Sequence, residues 1–200
     1  MPPAQHRVAG RSNYMMWIVW ILLIVIIILI LWFVGIFNRF IVLRNRMQGS
    51  WAQVDVQLKK RYDLIPNLVE TVKGYAKHER EVFQNVTEAR ARAINAGTVD
   101  DQAQAENLLT GALKSLFAVA EAYPELKANQ NFLKLQEELA AIEDKIAYAR
   151  QHFNDVVLAY NTLRQRFPEV IVASMFAFTP GSYFEIEEAA RAVPIVDFGA

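Results

Sequence analysis

The stretch FLKLQEELAAIEDKIAYARQHFNDVVLAYNTLRQRF (Phe132–Phe167) decides the fold. Counting from Phe132, the residues Leu135, Leu139, Ile142, Ile146, Ala149, Phe153, Val156, Tyr160, Leu163 and Phe167 follow at alternating intervals of three and four. That spacing places them on one stripe of a single helix. Glu137, Glu138, Glu143, Asp144, Lys145, Arg150, Gln151, Arg164 and Gln165 fill the other positions, so one narrow face seeks a partner and the rest seeks water. No Pro or Gly interrupts the run from Lys127 to Phe167. At 1.5 Å per residue the seam is roughly 50 to 60 Å long, so it needs other long helices to cover it.

Those helices are found upstream. Met47, Trp51, Val54, Leu58, Tyr62, Ile65, Val69, Val72 and Ala76 recur at threes and fours and predict a second amphipathic helix. Pro66 interrupts it and cannot donate to the carbonyl of Tyr62, which predicts either a kink or a fresh start capped by Asp63. Gly74 and the polar run Lys77 to Arg80 mark a turn. Val82, Val86, Ala89 and Ala93 then predict a shorter helix, closed by Gly97 as C-cap, with Asp100 as the N-cap of the next. Ala105, Leu109, Ala112, Leu116, Val119 and Tyr123 give that next helix, stopped at Pro124. No strand alternation of useful length occurs. The expected fold is all-α: an N-terminal transmembrane helix followed by an antiparallel up-and-down four-helix bundle with a short C-terminal tail.

The N-terminal part is of a different composition. Residues 1–13 are polar and read as a disordered tail, whereas 14–37 contain no ionisable group other than Tyr14. About 24 residues reach about 36 Å, enough to cross a hydrocarbon core of about 30 Å with some tilt. A cleaved signal peptide would carry a shorter apolar region and a small-residue cleavage site, which Asn38, Arg39 and Phe40 do not supply. The span runs from Tyr14 to Phe37, with Trp17 and Trp20 near one end and Trp32 and Phe33 near the other placed like interfacial aromatic belts. Arg39, Arg44 and Arg46 follow at headgroup height and are candidate lipid contacts; solubilising flanks are the plainer alternative. Arg7 and Arg11 on the short side nearly balance them, so the side of the membrane that holds the domain is left undecided, with a tilt towards the cytoplasm. The run Lys59, Lys60 and Arg61 reads as a solvated face or a second lipid contact.

The domain plan is therefore a tail over 1–13, a span over 14–37, a helical bundle over 38–168 and an apolar tail over 169–200. Val170 to Phe178 is apolar, Pro180 and Gly181 turn the chain, Tyr183 to Ala192 is an acidic short-helix candidate, and Val193 to Phe198 is apolar again. Tyr183, Phe184, Val196 and Phe198 are candidate partner contacts, set against the alternative that the tail is tucked along the bundle. Tucking is favoured, because a free tail rich in Phe, Ile and Val would be an aggregation hazard.

Four runs carry a resemblance to a known family: QLKKRYDLIPNLVETVKGYAKHEREVF (Gln57–Phe83), AEAYPELKANQNFLKLQEELAAIEDKIAYAR (Ala120–Arg150), FNDVVLAYNTLRQRFP (Phe153–Pro168) and YFEIEEAARAVPIVDF (Tyr183–Phe198). Together they closely resemble the LemA family from about Arg44 to Phe198, in unbroken order. The resemblance implies a bacterial or archaeal membrane-associated protein with an N-terminal anchor and a four-helix bundle. It implies no established biochemical activity; one branch of the family belongs to magnetosome membranes, and others are connected with membrane quality-control proteases. Some relatives carry an N-terminal lipoprotein Cys, which this chain lacks, so their sidedness does not transfer.

Composition and motifs point away from catalysis. The formal charge is zero and no basic stripe with exposed aromatics occurs, which disfavours nucleic acid. There is no Cys, hence no disulfide, thiolate metal site or Cys nucleophile. His78 and Glu79 begin like a zinc-protease HExxH, but Val82 stands where the second His is needed. His6, His78 and His152 share no spacing, adjacent Glu143 and Asp144 point to different faces, and neither a nucleophile elbow nor a phosphate-binding glycine loop is present. No catalytic, metal or cofactor residue is assigned and no small-molecule substrate is expected. The expected function is that of a non-enzymatic single-pass scaffold or adaptor of the cell (inner) membrane. Its expected partners are lipids, other membrane proteins (a quality-control protease among them) and further copies of itself. A membrane-shaping oligomer acting on anionic lipid is the alternative, and a metal-dependent enzyme in the bundle core is the remote one.

Overall fold

The computed structural model describes residues 9–185. Among them there are six helices and no strand: α1 (Ala9–Lys73), α2 (Arg80–Ile94), α3 (Val99–Glu121), α4 (Pro124–Lys127), α5 (Gln130–Gln165) and α6 (Glu169–Met175). Helix α1 is one unbroken rod of 65 residues, about 98 Å long. It starts at Ala9, inside the stretch expected to be a tail. It also runs through Pro66 without ending, so Asp63 caps no new start. From Tyr14 to Trp32 it is apolar all round and exposed, and its second half is amphipathic.

The proline is accommodated by a specific partner. Pro66 has no N–H for the carbonyl of Tyr62, four residues back, and that carbonyl instead accepts a bond of 2.8 Å from Nε of Arg90 on α2. A side chain thus replaces the missing rung of the helix.

Helix α1 turns through 74–79 into α2, whose buried face is Phe83, Val86, Ala89 and Ala93, with Val82 half-buried beside it. Helix α2 closes at Asn95 rather than Gly97, and α3 is capped by Thr98 rather than Asp100. The Thr98 hydroxyl accepts the Asp101 amide at 3.1 Å and donates to the Asp101 carboxylate at 2.7 Å, a reciprocal arrangement that Asp100, one turn-position too late, has no geometry to make. Pro124 does not simply stop α3; it occupies the first turn of α4, where its missing N–H has no cost. Asn129 then caps α5, accepting the Phe132 amide while donating to the Tyr75 hydroxyl near the end of α1.

Helices α1 and α5 run antiparallel along most of α5, since Tyr75 meets Asn129, Arg61 meets Glu143, Trp51 meets Phe153 and Phe40 meets Tyr160. Helices α2 and α3 form a hairpin against α1. Val54, Leu58, Ile65 and Val72 of α1, Val86 of α2, Leu109 and Leu116 of α3, and Phe132, Leu139, Ile146 and Phe153 of α5 share one apolar core. The seam of α5 is buried at Phe132, Leu139, Ile146, Ala149, Phe153, Tyr160 and Leu163, and half-buried at Leu135 and Ile142. Two positions differ. Val157 is fully buried where the spacing predicts Val156, and Phe167 is 77% exposed. A straight helix repeats every 3.6 residues and drifts by about 20° per heptad from a 3.5 repeat, so after three heptads the next position along faces the core. Phe167 lies beyond the helix, which ends at Gln165.

Beyond α5 the chain doubles back. Helix α6 ends with Ala177 in the left-handed region (φ 50°), with the Phe178 amide bonded to the Ala173 carbonyl at 3.0 Å and the Ala177 amide to that of Ser174. Residues 178–185 then run along α5 in extended form. Asn161 exchanges both amide bonds with the backbone of Gly181 (2.9 and 3.0 Å), and Asn154 does the same with Phe184 (2.9 and 3.1 Å). Tyr160 and Arg164 donate to the carbonyls of Thr179 and Phe178. The backbone at Gly181 packs closely on α1: a Cβ there would lie 2.8 Å from the sulfur of Met47, which would have to shift to admit it. The tail is tucked as far as Glu185, and Tyr183 to Glu185 are not helical.

Replacing Leu139 or Ile146 by Ala is expected to cost about 2 to 5 kcal/mol, read as a lowered denaturation midpoint of the full chain in detergent. Arg90→Met is expected to cost about 1 to 3 kcal/mol by orphaning the Tyr62 carbonyl. The same change in a Pro66→Ala background should cost clearly less, because an alanine there restores the missing donor; equal costs in both backgrounds would show that Arg90 does not stand in for that rung.

Candidate functional site

Two regions collect the polar and aromatic residues that packing alone does not require. The first is where α1 leaves its apolar half. Tyr14 to Trp32, including Trp17 and Trp20, is exposed throughout, and the most apolar 18-residue window of α1 has a mean hydropathy of 3.3 with none of it covered by protein. This is the one described helix long and apolar enough to cross a membrane. Coverage begins at Phe33 and Ile36. Phe37 packs on Phe176 and Phe178 with ring centroids 4.8 and 5.9 Å away, Phe33 lies 5.9 Å from Phe176, and Phe40 stacks on Phe178 at 4.6 Å. Ile36, Phe40, Tyr160, Leu163, Val172, Ala173 and Phe178 form a second apolar cluster, separate from the main core. Arg39, Arg44 and Arg46 follow, all exposed. Glu169 beneath them is buried; its own backbone amide, helped by Arg166 at 2.8 Å and by Arg39, holds its carboxyl below the usual carboxylate range against the opposing effect of burial.

The second region lies inside the bundle of side chains between α1, α3 and α5. Arg61 is only 3% exposed and Glu106 1%. Arg61 donates through Nη1 to Glu106 at 2.5 Å and through Nη2 to Glu143 at 2.7 Å and Thr110 at 3.1 Å. The Glu106 carboxylate also accepts from the Tyr62 hydroxyl and from Gln102. Burial, reinforced by the Glu106 charge, drives the Tyr62 hydroxyl far above its ordinary range, so it holds its proton at any physiological pH. Burial raises Glu143 as well, against the pull of Arg61. A cleft of about 300 Å³ lined by Arg61, Thr110, Leu113, Phe117, Leu139 and Glu143 opens beside them. A carboxylate held by several donors and a phenol locked in its protonated form make an interhelical tie.

Arg61 corrects the reading of Lys59, Lys60 and Arg61 as one surface cluster: the two lysines are exposed and the arginine is core. The signal was present, since Arg61 stands three residues after Leu58 and four before Ile65, on the buried stripe. Phe184 is likewise no partner contact; it is fully buried against Trp51, with Tyr183 half-buried beside it. Val196 and Phe198 lie outside the described residues. On the outer face of the α1–α5 pair, an open groove of about 780 Å³ runs between Ala52, Val56 and Gln57 on one side and Ala141, Lys145 and Tyr148 on the other. Val56 and Tyr148 are exposed in it, although helical spacing alone does not mark either one.

With this geometry in hand, comparison with known proteins gives the family. The model of the LemA family matches residues 50–198. The chain belongs to the LemA family. Among its relatives are the magnetosome protein MamQ of Magnetospirillum gryphiswaldense and MamQ 1 and MamQ 2 of Paramagnetospirillum magneticum. Each is 24% identical over 186 residues, covering 80% of this chain and 68% of the relative. Protein LemA of Metamycoplasma hominis is 24% identical over 164 residues, covering 80% of this chain and 73% of that protein. None of these names is that of an enzyme. Among the described residues, no group of three His, Asp or Glu side chains is placed to hold a metal ion.

Glu106→Ala is expected to destabilise the fold by about 3 to 5 kcal/mol, because Arg61 loses its buried counter-charge and keeps only the half-exposed Glu143. The pair Arg61→Met with Glu106→Leu should recover much of that loss, measured by denaturant unfolding of the full chain. A double variant as unstable as the sum of the singles would mean the two charges do not act as a pair.

Proposed function

We propose that this LemA-family protein is a non-enzymatic, single-pass membrane-anchored scaffold. Its four long helices form an up-and-down bundle that binds other membrane proteins and further copies of itself. The observation that carries this reading is the continuity of α1: the helix that supplies the exposed apolar half also supplies one wall of the core. A bundle mounted this way is held upright and close to the bilayer, with its outer α1–α5 groove facing sideways towards neighbours. The groove supports a binding role further, since its floor is small and apolar (Ala52, Ala141, Ala149) and its rim carries Asp144 and Lys145. Those are features that accept a partner helix. The MamQ relatives, which are named for an organelle rather than a reaction, fit a structural role in the cell membrane.

A second reading has its own observation. Arg39, Arg44 and Arg46 are exposed in a group just past the span, which favours anionic lipid and a role in organising the bilayer itself. The two readings separate by photocrosslinking of the full chain in native membranes, with the reactive residue at Val56, at Tyr148, or at Ile94 as an exposed control away from the groove. Protein adducts at Val56 and Tyr148 that are absent at Ile94 are the expected result. Adducts equal at all three sites, or none, would overturn the scaffold reading. In that case, binding of the reconstituted protein that is lost when anionic lipid is replaced by neutral lipid would support the second.

A further inference from the structure

Helix α6 has a face that nothing among the described residues covers. Its inner side, Glu169, Val172 and Ala173, packs against α1 and α5. Its outer side carries Val170, Ile171 and Met175, flanked by Phe167 and Phe176; Met175 is 66% exposed and Ile171 51%. The sole polar residue on that side, Ser174, returns its hydroxyl to the Val170 carbonyl at 2.9 Å. The pattern is therefore inverted relative to a helix at a water surface, with the carboxylate inward and the large apolar residues outward.

The location of this face identifies what covers it. Phe176 rests on Phe33 and Phe37, which close the apolar run of α1. That run, Tyr14 to Phe37, is about 36 Å long against a hydrocarbon core of about 30 Å, so its last turn is at the boundary of the bilayer. Helix α6 is docked on that turn. Around it stand Arg39 and Arg166, with the nearby acid, Glu169, already paired with Arg166. An apolar face continuous with a membrane span and rimmed by exposed guanidinium groups is complementary to one environment, the headgroup and upper acyl region of a bilayer with anionic lipid.

We infer that α6, together with Phe167 and Phe176, is embedded in the interfacial layer of the membrane that α1 crosses, giving the protein a second point of insertion beside its anchor. This rests on α1 being a membrane span and adds to it. The bundle is then held at two points and cannot pivot about α1. The left-handed turn at Ala177 lifts the chain out of the interface and back onto α5, where Asn161 and Asn154 secure it.

The chain has no cysteine, so single Cys residues placed at Ile24, Leu133, Ile171 and Met175 of the full-length protein give unique sites for an environment-sensitive fluorophore. The protein is reconstituted in phosphatidylcholine–phosphatidylglycerol vesicles, with spin-labelled lipid as one quencher and aqueous iodide as the other. At Ile171 and Met175 the expected result is blue-shifted emission, loss of signal to lipid labelled near the headgroup, and protection from iodide; Leu133, exposed at the far end of α5, should show the reverse. If Ile171 and Met175 behave like Leu133 while Ile24 is quenched by lipid, the inference on α6 fails and the anchor stands. If Ile24 itself is quenched by iodide and untouched by lipid, the anchor and the inference fail together. A shared melting midpoint for the four variants confirms that each reports on the folded chain.

Discussion

Peptide hydrogen bonds running without interruption from Ala9 to Lys73, save the one rung that Pro66 removes, are the constraint on which the remaining structure depends. A helix transmits orientation along its axis, so wherever the apolar half is held, the amphipathic half is held too. The main core of the described residues is arranged around that second half: α5 lies antiparallel along one side, the α2–α3 hairpin along another, and residues 178–185 in the angle between α1 and α5. The place where a helix would most readily fail is Pro66, and there the fold supplies a donor from a neighbouring helix. Arg90 couples the continuity of α1 to the docking of α2, so neither is complete without the other.

Apolar burial explains why the helices associate but leaves their register weakly defined, because one Leu on a stripe resembles the next. The tie formed by Arg61, Glu106, Tyr62, Gln102, Thr110 and Glu143 is satisfied at one relative height of α1, α3 and α5, and sliding any of them by a turn would strand a buried charge. Asn154 and Asn161 do the equivalent for the tail. Each reads the N–H and C=O of a single residue, so the strap is fixed in position without depending on the side chains it carries.

What was legible in the sequence follows from which of these forces leaves a periodic trace. The α5 seam at Leu139, Ile146 and Phe153 and the α1 stripe at Val54, Leu58 and Ile65 were readable, because burial on a helix repeats at a fixed interval. Val157 was missed because a heptad count holds to 3.5 residues while a straight helix advances at 3.6. Arg61 was missed because its local company, two lysines, outweighed its place on the stripe. Thr98 and Asp100 are both sound N-caps by type, and the choice between them depends on where the next helix starts, which their identities do not state. The bonds from Asn154 and Asn161 join residues 30 and 20 positions apart with no repeating pattern, and α6 is too short to show a period. Its significance comes from standing next to Phe33 and Phe37, a juxtaposition made in three dimensions only.

The same geometry limits what can reach the outer groove. Ala52 to Gln57 lie 15 to 20 residues beyond Phe37 on a continuous helix, which puts the groove about 22 to 30 Å above the end of the apolar run. Since α1 and α5 are antiparallel neighbours, the groove between them follows their common axis, and a helix laid in it runs roughly parallel to the membrane-spanning segment. A transmembrane partner therefore engages it only if its own helix continues well past the bilayer or carries a domain at that height. On the scaffold reading proposed above, a second copy of this chain would present a helix of that length at that level, since its own α1 continues past the apolar run in the same way.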